Sequence, residues 1–262
     1  MDALPERAAP VSIKQSEKQD VCEKHGEFTS MGFQIGRMMR WQGCPECSRL
    51  FAEAERAEQA KSAAEAAQRA LEQRLDRSGI PLRYRAKDFA SFTAADDKQE
   101  KARSMAMEFA TNFPEHLARG TFMVMSGQPG TGKSHLAIAI AQSIMSSHTA
   151  LYTSAIDAVR MIRNTWRRDS PKSETDVLDM LACVHLLVLD EVGVQYGTEA
   201  EQVSLFDIID KRYRDMMPTI LLTNQNKAGM KAFLGDRSFD RLREGGQWVT
   251  FDWESHRGKV AS

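Results

Sequence analysis

The sequence lacks any long apolar run. No stretch approaches the roughly 18 consecutive apolar residues that a membrane-spanning helix needs, and the longest runs are short, such as Leu186–Leu189. The first 20 residues contain acidic side chains and no apolar segment, so they do not resemble a secretory signal. We therefore expect a cytoplasmic protein that makes no membrane contact.

The sequence also lacks an excess of charge and has few cysteines. The 35 Lys and Arg residues are balanced by 36 Asp and Glu residues, for a net charge of −1. This balance excludes a protein that binds nucleic acid by bulk positive charge alone, although a local basic patch remains compatible with it. Only four cysteines occur in 262 residues, which excludes a small disulfide-stapled fold. At roughly 150 residues per domain, the length predicts one or two domains.

Composition divides the chain into four segments. Residues 1–20 are polar and are predicted to be a disordered tail. Residues 21–47 hold three of the four cysteines and are predicted to be a small zinc-binding module. Residues 48–78 are rich in alanine and end at a Ser-Gly-Ile-Pro stop, which predicts a connector helix. Residues 79–262 have the pattern of a compact α/β domain.

Five short apolar, β-prone runs alternate with helical segments after Pro81. Such alternation predicts a five-stranded parallel sheet that is covered by helices on both faces. The strands are predicted at Phe122–Ser126, Ala150–Ser154, His185–Leu189, Thr219–Thr223 and Trp248–Phe251.

A glycine-rich loop follows the first of these strands and precedes a helical run. Its sequence, GQPGTGKS, matches the phosphate-binding pattern G-x-x-x-x-G-K-[ST] in full. The glycines let backbone N–H groups surround a phosphate chain, Lys133 can reach the β- and γ-phosphates, and Ser134 can ligate Mg²⁺. The predicted ATP-binding residues here are Gly127, Gly130, Thr131, Gly132, Lys133, Ser134 and His135.

Polar side chains end two later strands. Asp190 and Glu191 follow an apolar strand, and we expect Asp190 to hold Mg²⁺ and Glu191 to polarise the attacking water. Asn224 ends the next strand and is predicted to contact the γ-phosphate or the water. Since another strand intervenes in the sequence, the Asp190 strand is expected to lie beside the P-loop strand in space. These features indicate the additional-strand class of P-loop ATPases.

The amino-terminal cysteines form two closely spaced pairs. Cys22 and His25 give C-x2-H, and Cys44 and Cys47 give C-x2-C, with 18 residues between the pairs. Three thiolates and one imidazole make a closed tetrahedral zinc site. The apolar residues between the pairs are expected to cover the metal; they are Phe28, Met31, Phe33, Ile35, Met38 and Trp41. The fourth cysteine, Cys183, is predicted to be a buried thiol.

From Ser78 to Lys259 the sequence resembles the AAA+ domain of DnaC-type replicative helicase loaders, which are relatives of the DnaA initiator and the IstB transposition ATPases. Beyond the P-loop and the Asp-Glu pair, the similar segments are SGIP from residue 78, GVQ from residue 193, LTN from residue 222, LGDRSFDRLR from residue 234 and WVTFDWES from residue 248. The best-known loader has a helical amino-terminal domain, so the zinc module indicates a phage or prophage version.

The resemblance implies further roles. Arg241 matches the family's arginine finger, which reaches the ATP of a neighbouring subunit, and Arg257 matches the second sensor. Single-stranded DNA is expected to contact Arg163, Trp166 and Arg167, where a stacking plane lies among arginines.

The resulting interpretation is an Mg²⁺-dependent ATPase that loads a DnaB-type hexameric helicase onto single-stranded DNA and self-associates on ATP and DNA. Two alternatives remain open. One is an IstB-type transposase helper, and the other is a zinc-bearing DNA-binding adaptor in which nucleotide is only structural.

Overall fold

The computed structural model describes residues 15–193 and 199–256, except for the side chains of 199–201. The chain divides into two compact units, Met1–Ala67 and Gln68–Ser262. In the described ranges, no helix is both long enough and apolar enough to cross a membrane.

The amino-terminal unit is built on a three-stranded antiparallel sheet. Its strands are β1 (Gln15–Cys22), β2 (Gly26–Ile35) and β3 (Met38–Trp41), in the order β1-β2-β3. The prediction of a disordered tail over residues 1–20 is wrong for residues 15–20, which lie in β1; residues 1–14 are outside the described part. Most side chains of β1 are polar and exposed, so the strand carries no apolar alternation that a sequence could reveal.

Helix α1 (Pro45–Arg77) follows this sheet. It begins three residues before the predicted connector helix, so Cys47 lies in its first turn. None of its residues is buried, in keeping with its Ala, Glu and Gln composition. Near its end, the Arg74 guanidinium donates to the carbonyl oxygens of Met145 and Ser146 at 2.6 Å each.

The second unit contains the predicted five-stranded parallel sheet, which is confirmed. Its strands are β4 (Phe122–Gly127), β5 (Ala150–Ser154), β6 (Leu186–Val192), β7 (Thr219–Thr223) and β8 (Gly246–Phe251). Their spatial order is β5-β6-β7-β4-β8. The expectation that the Asp190 strand lies beside the P-loop strand is therefore wrong, because β7 pairs with both and separates them.

Helices cover both faces of this sheet. Alternate residues of each central strand enter one of two apolar clusters, so the strands are buried on both sides. One face packs against α2 and α4, and the other packs against α5 to α8. The helices are α2 (Asp97–Thr111), α3 (Phe113–Arg119), α4 (Lys133–Ile144), α5 (Ala155–Asn164), α6 (Glu174–Ala182), α7 (Glu199–Arg214) and α8 (Lys227–Glu244), with a short 3₁₀ turn at Leu82–Tyr84.

A fully buried arginine links helix α7 to the end of α6 and to the start of β7. Arg212 on α7 has no exposed surface, and its guanidinium donates to Thr219 Oγ1 at 2.8 Å and to four backbone carbonyls. Those carbonyls belong to Leu181, Ala182, Val184 and Pro218. Because all three nitrogen atoms of the guanidinium donate to oxygen acceptors, the charge is tolerated without a carboxylate. Burial lowers the pKa of Arg212 to about 9.

Candidate functional site

The glycine-rich loop lies between β4 and α4, with its glycines in conformations that other residues avoid. Gly130 and Gly132 have φ values of 81° and 98°. A Cβ at Gly132 would lie 2.6 Å from the ring of Phe92, and one at Gly127 would lie 2.1 Å from the carbonyl oxygen of Phe251. Close packing on both sides therefore fixes the loop as a rim of backbone N–H groups at the start of α4.

Lys133 is the first residue of α4, and its side chain is held at the loop. Its ammonium donates to the carbonyl oxygens of Gly127 at 2.7 Å and Gln128 at 2.9 Å. It also donates to Asn224 Oδ1 at 3.0 Å, which brings the end of β7 to the P-loop. The structure therefore joins the predicted phosphate-binding lysine to the predicted sensor.

Ser134 and Asp190 also meet, as a magnesium site requires. The Ser134 hydroxyl donates to Asp190 Oδ2 at 2.8 Å, and the backbone N–H of Glu191 donates to Asp190 Oδ1 at 2.7 Å. The hydroxyl of Tyr152, on β5, donates to the same Oδ2 atom. Burial and the Asp190 charge raise the pKa of Tyr152 far above its ordinary value, so the phenol remains a neutral donor. No motif in the sequence marks this tyrosine.

Glu191 occupies an unusual backbone conformation. Its φ is 61°, in the left-handed region that residues other than Gly, Asn and Asp rarely adopt. The side chain is exposed and lines the same cleft as Lys133 and Asn224. A carboxylate held beside the phosphate-binding loop at some cost in backbone energy is typical of a functional position.

The P-loop borders a cavity of about 1240 Å³. One wall comes from the segment between Gly79 and Thr93, and the residues after β8 close over the loop. There, the Trp253 indole donates to Thr131 O at 3.0 Å, and the His256 N–H donates to Gly130 O at 2.9 Å. The sequence does not predict these contacts, because their acceptors are backbone carbonyl oxygens, which every residue type has.

His135 sits one residue beyond Ser134 and faces the Gly79–Thr93 wall. Its Nε2 atom lies 2.8 Å from the Asp88 carbonyl oxygen and 3.2 Å from Ser91 Oγ, and its ring packs edge-on against Phe92. Burial lowers the pKa of His135, so the neutral imidazole is favoured. The His135 side chain thus connects the Gly79–Thr93 wall to α4.

Arg241, which was predicted to reach the ATP of a neighbouring subunit, does not line this cavity. Arg241, on α8, forms an ion pair with Asp210 of α7 and lies over the rings of Phe206 and Tyr213. Its side chain is only 25% exposed. Arg257 lies outside the described residues.

The predicted DNA-binding side chains cluster at the end of α5. Arg163, Trp166 and Arg167 are all exposed, and the Trp166 side chain is held by an indole hydrogen bond of 2.8 Å to Glu174 Oε2. Trp166 lies two residues past the end of the helix, and its exposed fraction is 59%. The segment therefore presents an exposed indole and two exposed arginines.

The four predicted zinc ligands form one cluster, and their ligand atoms all lie within 4.8 Å of one another. The Cys22 and Cys47 sulfurs are 3.6 Å apart, and His25 Nδ1 lies 3.7, 3.5 and 3.3 Å from the sulfurs of Cys22, Cys44 and Cys47. A tetrahedron with zinc–sulfur bonds of about 2.3 Å has edges of about 3.8 Å. The donor set and its spacing therefore fit a zinc ion.

The surroundings of the cluster differ from the prediction in one respect. Ile35, Met38 and Trp41 were expected to cover the metal, but they are 63%, 73% and 40% exposed. Ile35 and Met38 pair at the turn of the β2–β3 hairpin. Backbone N–H groups of Lys24 and His25 lower the pKa of Cys22 to about 6.

The fourth cysteine lies outside this cluster. The prediction that Cys183 is buried is wrong, since this residue is exposed at the end of α6.

Comparison with known proteins bears on the second unit. The family described as IstB-like ATP binding protein matches residues 56–262. The replicative helicase loader DnaC of Escherichia coli K12 is 35% identical over 192 residues, which cover 72% of this chain and 77% of that protein. Protein YdaV of the same strain, described as uncharacterized, is 38% identical over 192 residues, which cover 72% and 75%.

A solved structure gives the same result for the fold. The crystal structure of a DnaC helicase loader superposes with a TM-score of 0.59 at 21% identity, covering 65% of this chain and 99% of that one. The family match begins at residue 56, so it leaves out the cysteine–histidine cluster. The P-loop, the Ser134–Asp190 pair and these similarities together show that the chain belongs to the IstB-like ATP-binding family, which includes the DnaC helicase loaders.

Proposed function

We propose that this protein is an ATP-dependent loader that places a hexameric replicative helicase of the DnaB type onto single-stranded DNA. The observation that carries the proposal is its 35% identity to DnaC loaders over 72% of the chain. The described geometry supports an ATPase cycle, and its parts can be assigned to individual residues.

ATP binding begins at the P-loop. The loop N–H groups and the positive end of α4 hold the phosphates. Lys133 exchanges its contacts with Gly127 and Gln128 for the β- and γ-phosphates, since an ammonium gains more from an anion than from carbonyl dipoles. Asn224 moves with this exchange because it shares a hydrogen bond with Lys133.

Hydrolysis depends on the residues around Asp190. Ser134 and Asp190 supply adjacent oxygen atoms, the donor type that Mg²⁺ prefers, and are the residues that would hold it. A bound Mg²⁺ neutralises charge that develops on the phosphates. Glu191 takes the proton of the attacking water, and Asn224 orients that water.

A neighbouring copy completes the site. Arg241 supplies a guanidinium to the adjacent subunit's γ-phosphate, while Arg257 contacts the nucleotide of its own subunit. Because Arg241 is paired with Asp210 within the chain, assembly has to exchange that ion pair for the phosphate contact. ATP supplies the phosphate that replaces Asp210, and self-association on ATP and DNA is part of the proposal.

Two surfaces contact the partners. Single-stranded DNA stacks on Trp166 and has its phosphates neutralised by Arg163 and Arg167. The amino-terminal unit, folded around zinc by its four ligands, holds the helicase ring and opens it.

The test is helicase loading on circular single-stranded DNA. The purified protein is expected to raise unwinding by the replicative helicase, and Lys133→Ala is expected to abolish ATP binding and loading. Glu191→Gln is expected to bind ATP normally and to hydrolyse it at least about 100-fold more slowly, because the carboxylate acts only on the water. Lys101→Ala and Glu115→Gln, at exposed positions on α2 and α3, are the matched controls.

Mixing experiments address the shared site. Arg241→Ala and Lys133→Ala, each inactive alone, are expected to regain part of the ATPase activity when they are mixed on single-stranded DNA. Absence of recovery, with co-assembly established by light scattering, would remove Arg241 from the site. No stimulation of any replicative helicase by the wild-type protein would contradict the loader function itself.

A further inference from the structure

Asp190 has a hydrogen-bond partner that belongs to neither the P-loop nor its own strand. The hydroxyl of Tyr152 donates to Oδ2 of Asp190, the same oxygen atom that accepts from Ser134. Oδ1 accepts from the Glu191 backbone. Both carboxylate oxygens are therefore oriented before any ligand arrives.

The position of Tyr152 is fixed from both sides of its strand. On the inner side, β5 pairs with β6 in parallel, with Tyr152 opposite Val188. On the outer side, the Tyr152 backbone N–H donates to the Ser78 carbonyl oxygen at 2.7 Å. Gly79 comes so close that a Cβ there would lie 2.3 Å from the Tyr152 carbonyl oxygen. The turn that ends α1 thus clamps the backbone that carries the phenol.

We infer that Tyr152 is a positioning residue for the magnesium site, which holds the Asp190 carboxylate toward Ser134 through its hydroxyl. The inference rests on the proposed ATPase function. An oriented outer partner limits the rotation of a carboxylate and so lowers the entropy that is lost when the metal binds. In this proposal Tyr152 acts through Asp190, to which its hydroxyl donates.

The discriminating variant is Tyr152→Phe, which removes one oxygen atom and keeps the ring. The measurement is the affinity for a fluorescent, non-hydrolysable ATP analogue, first in EDTA and then across a Mg²⁺ titration. Affinity in EDTA is expected to stay within about twofold of wild type, since the P-loop and Lys133 are untouched. The Mg²⁺ concentration at the midpoint of the affinity gain is expected to rise about tenfold, the lower end of the range for outer-shell partners.

A matched control exists at Tyr213, whose hydroxyl also donates to a carboxylate, that of Glu244, outside the cavity. Tyr213→Phe is expected to keep the wild-type Mg²⁺ midpoint. Melting temperatures of all three proteins, measured without nucleotide, separate a loss of folding from a loss of metal response.

Two outcomes would overturn the inference alone. One is an unchanged Mg²⁺ midpoint in Tyr152→Phe. The other is an equal loss of affinity in EDTA and in Mg²⁺, which would make Tyr152 a purely structural residue. A wild-type protein whose nucleotide affinity does not respond to Mg²⁺ would instead overturn the proposed magnesium site, and this inference with it.

Discussion

The two units of this protein hold their folds by different means. In the second unit, two apolar clusters line both faces of a five-stranded sheet and contain dozens of buried side chains. Among residues 15–67, by contrast, only Ser30, Gly32 and Cys44 are buried. The hydrophobic effect can account for the larger unit, but it has too little area to act on in the smaller one.

From this contrast we expect a metal bound by the cluster of Cys22, His25, Cys44 and Cys47 to take the place of a core. A three-stranded sheet with exposed faces is marginal in water. Structural zinc supplies about 10–16 kcal/mol in small domains, which is enough to fold them outright. The metal is therefore expected to govern the folding of one unit and to be irrelevant to the other.

The largest change in the amino-terminal unit is expected from removing one predicted zinc ligand. Cys44→Ser is expected to lower the zinc content from one equivalent to under about a tenth, and to unfold the first unit. ATP binding by the second unit should persist, because its core is separate. Metal analysis, limited proteolysis and nucleotide binding check the three parts.

Cys183→Ser is the control, since this cysteine is exposed and lies outside the cluster. Wild-type protein that is purified without chelators and contains far less than one equivalent of zinc would refute the metal-based account of the first unit.

The second unit should respond to a change in its interior instead. Arg212→Leu leaves four carbonyls and the Thr219 hydroxyl without their donor, and is expected to lower the free energy of unfolding by about 3 kcal/mol. Urea denaturation measures the loss. Arg214→Leu, two residues along α7 and exposed, should change stability by less than about 0.5 kcal/mol.

DNA binding tests which unit carries the nucleic-acid surface. Trp166→Ala is expected to weaken single-strand binding by about 1–3 kcal/mol, because a stacking plane is lost, while Trp166→Phe keeps most of the affinity. Fluorescence anisotropy at fixed salt measures both. Unchanged affinity in Trp166→Ala would move the DNA contact away from α5, and the amino-terminal unit would be the next place to look.

The smallest expected effect is a pH dependence in the second unit. Burial lowers the pKa of His116, whose ring stacks on Phe109 at 4.1 Å. The folded state therefore binds fewer protons than the unfolded state, and stability should fall as the pH drops below the ordinary imidazole pKa of 6.5. Urea titrations at pH 7 and pH 5 should show a smaller loss in His116→Gln than in wild type.

The sequence predicts the structure best where a hydrophobic pattern and functional residue types occur together. The five strands of the second unit and the meeting of Lys133, Asp190 and Asn224 follow from apolar runs that end in polar residues. The grouping of the four predicted zinc ligands follows from their spacing alone. The prediction that β6 lies beside β4 was wrong, because the sequence shows which strands exist but does not show which strand lies between two others.

Other features were missed for physical reasons. Strand β1 carries polar residues on exposed faces, so it has no pattern that distinguishes it from a tail. The sequence around Arg212 predicts a solvent-facing residue of an amphipathic helix, because its five acceptors all lie outside that helix. Tyr152 reaches Asp190 only through the register of β5 on β6, which no local pattern specifies.

At position 191, the backbone conformation and the proposed catalytic role favour different residue types. Its φ of 61° suits Gly or Asn, and a Glu held there costs about 1 kcal/mol or more. At this cost in backbone energy, the Glu191 carboxylate lines the cavity beside the P-loop. A sequence optimised only for stability would replace this residue, and the more stable protein would have lost its proposed catalytic base.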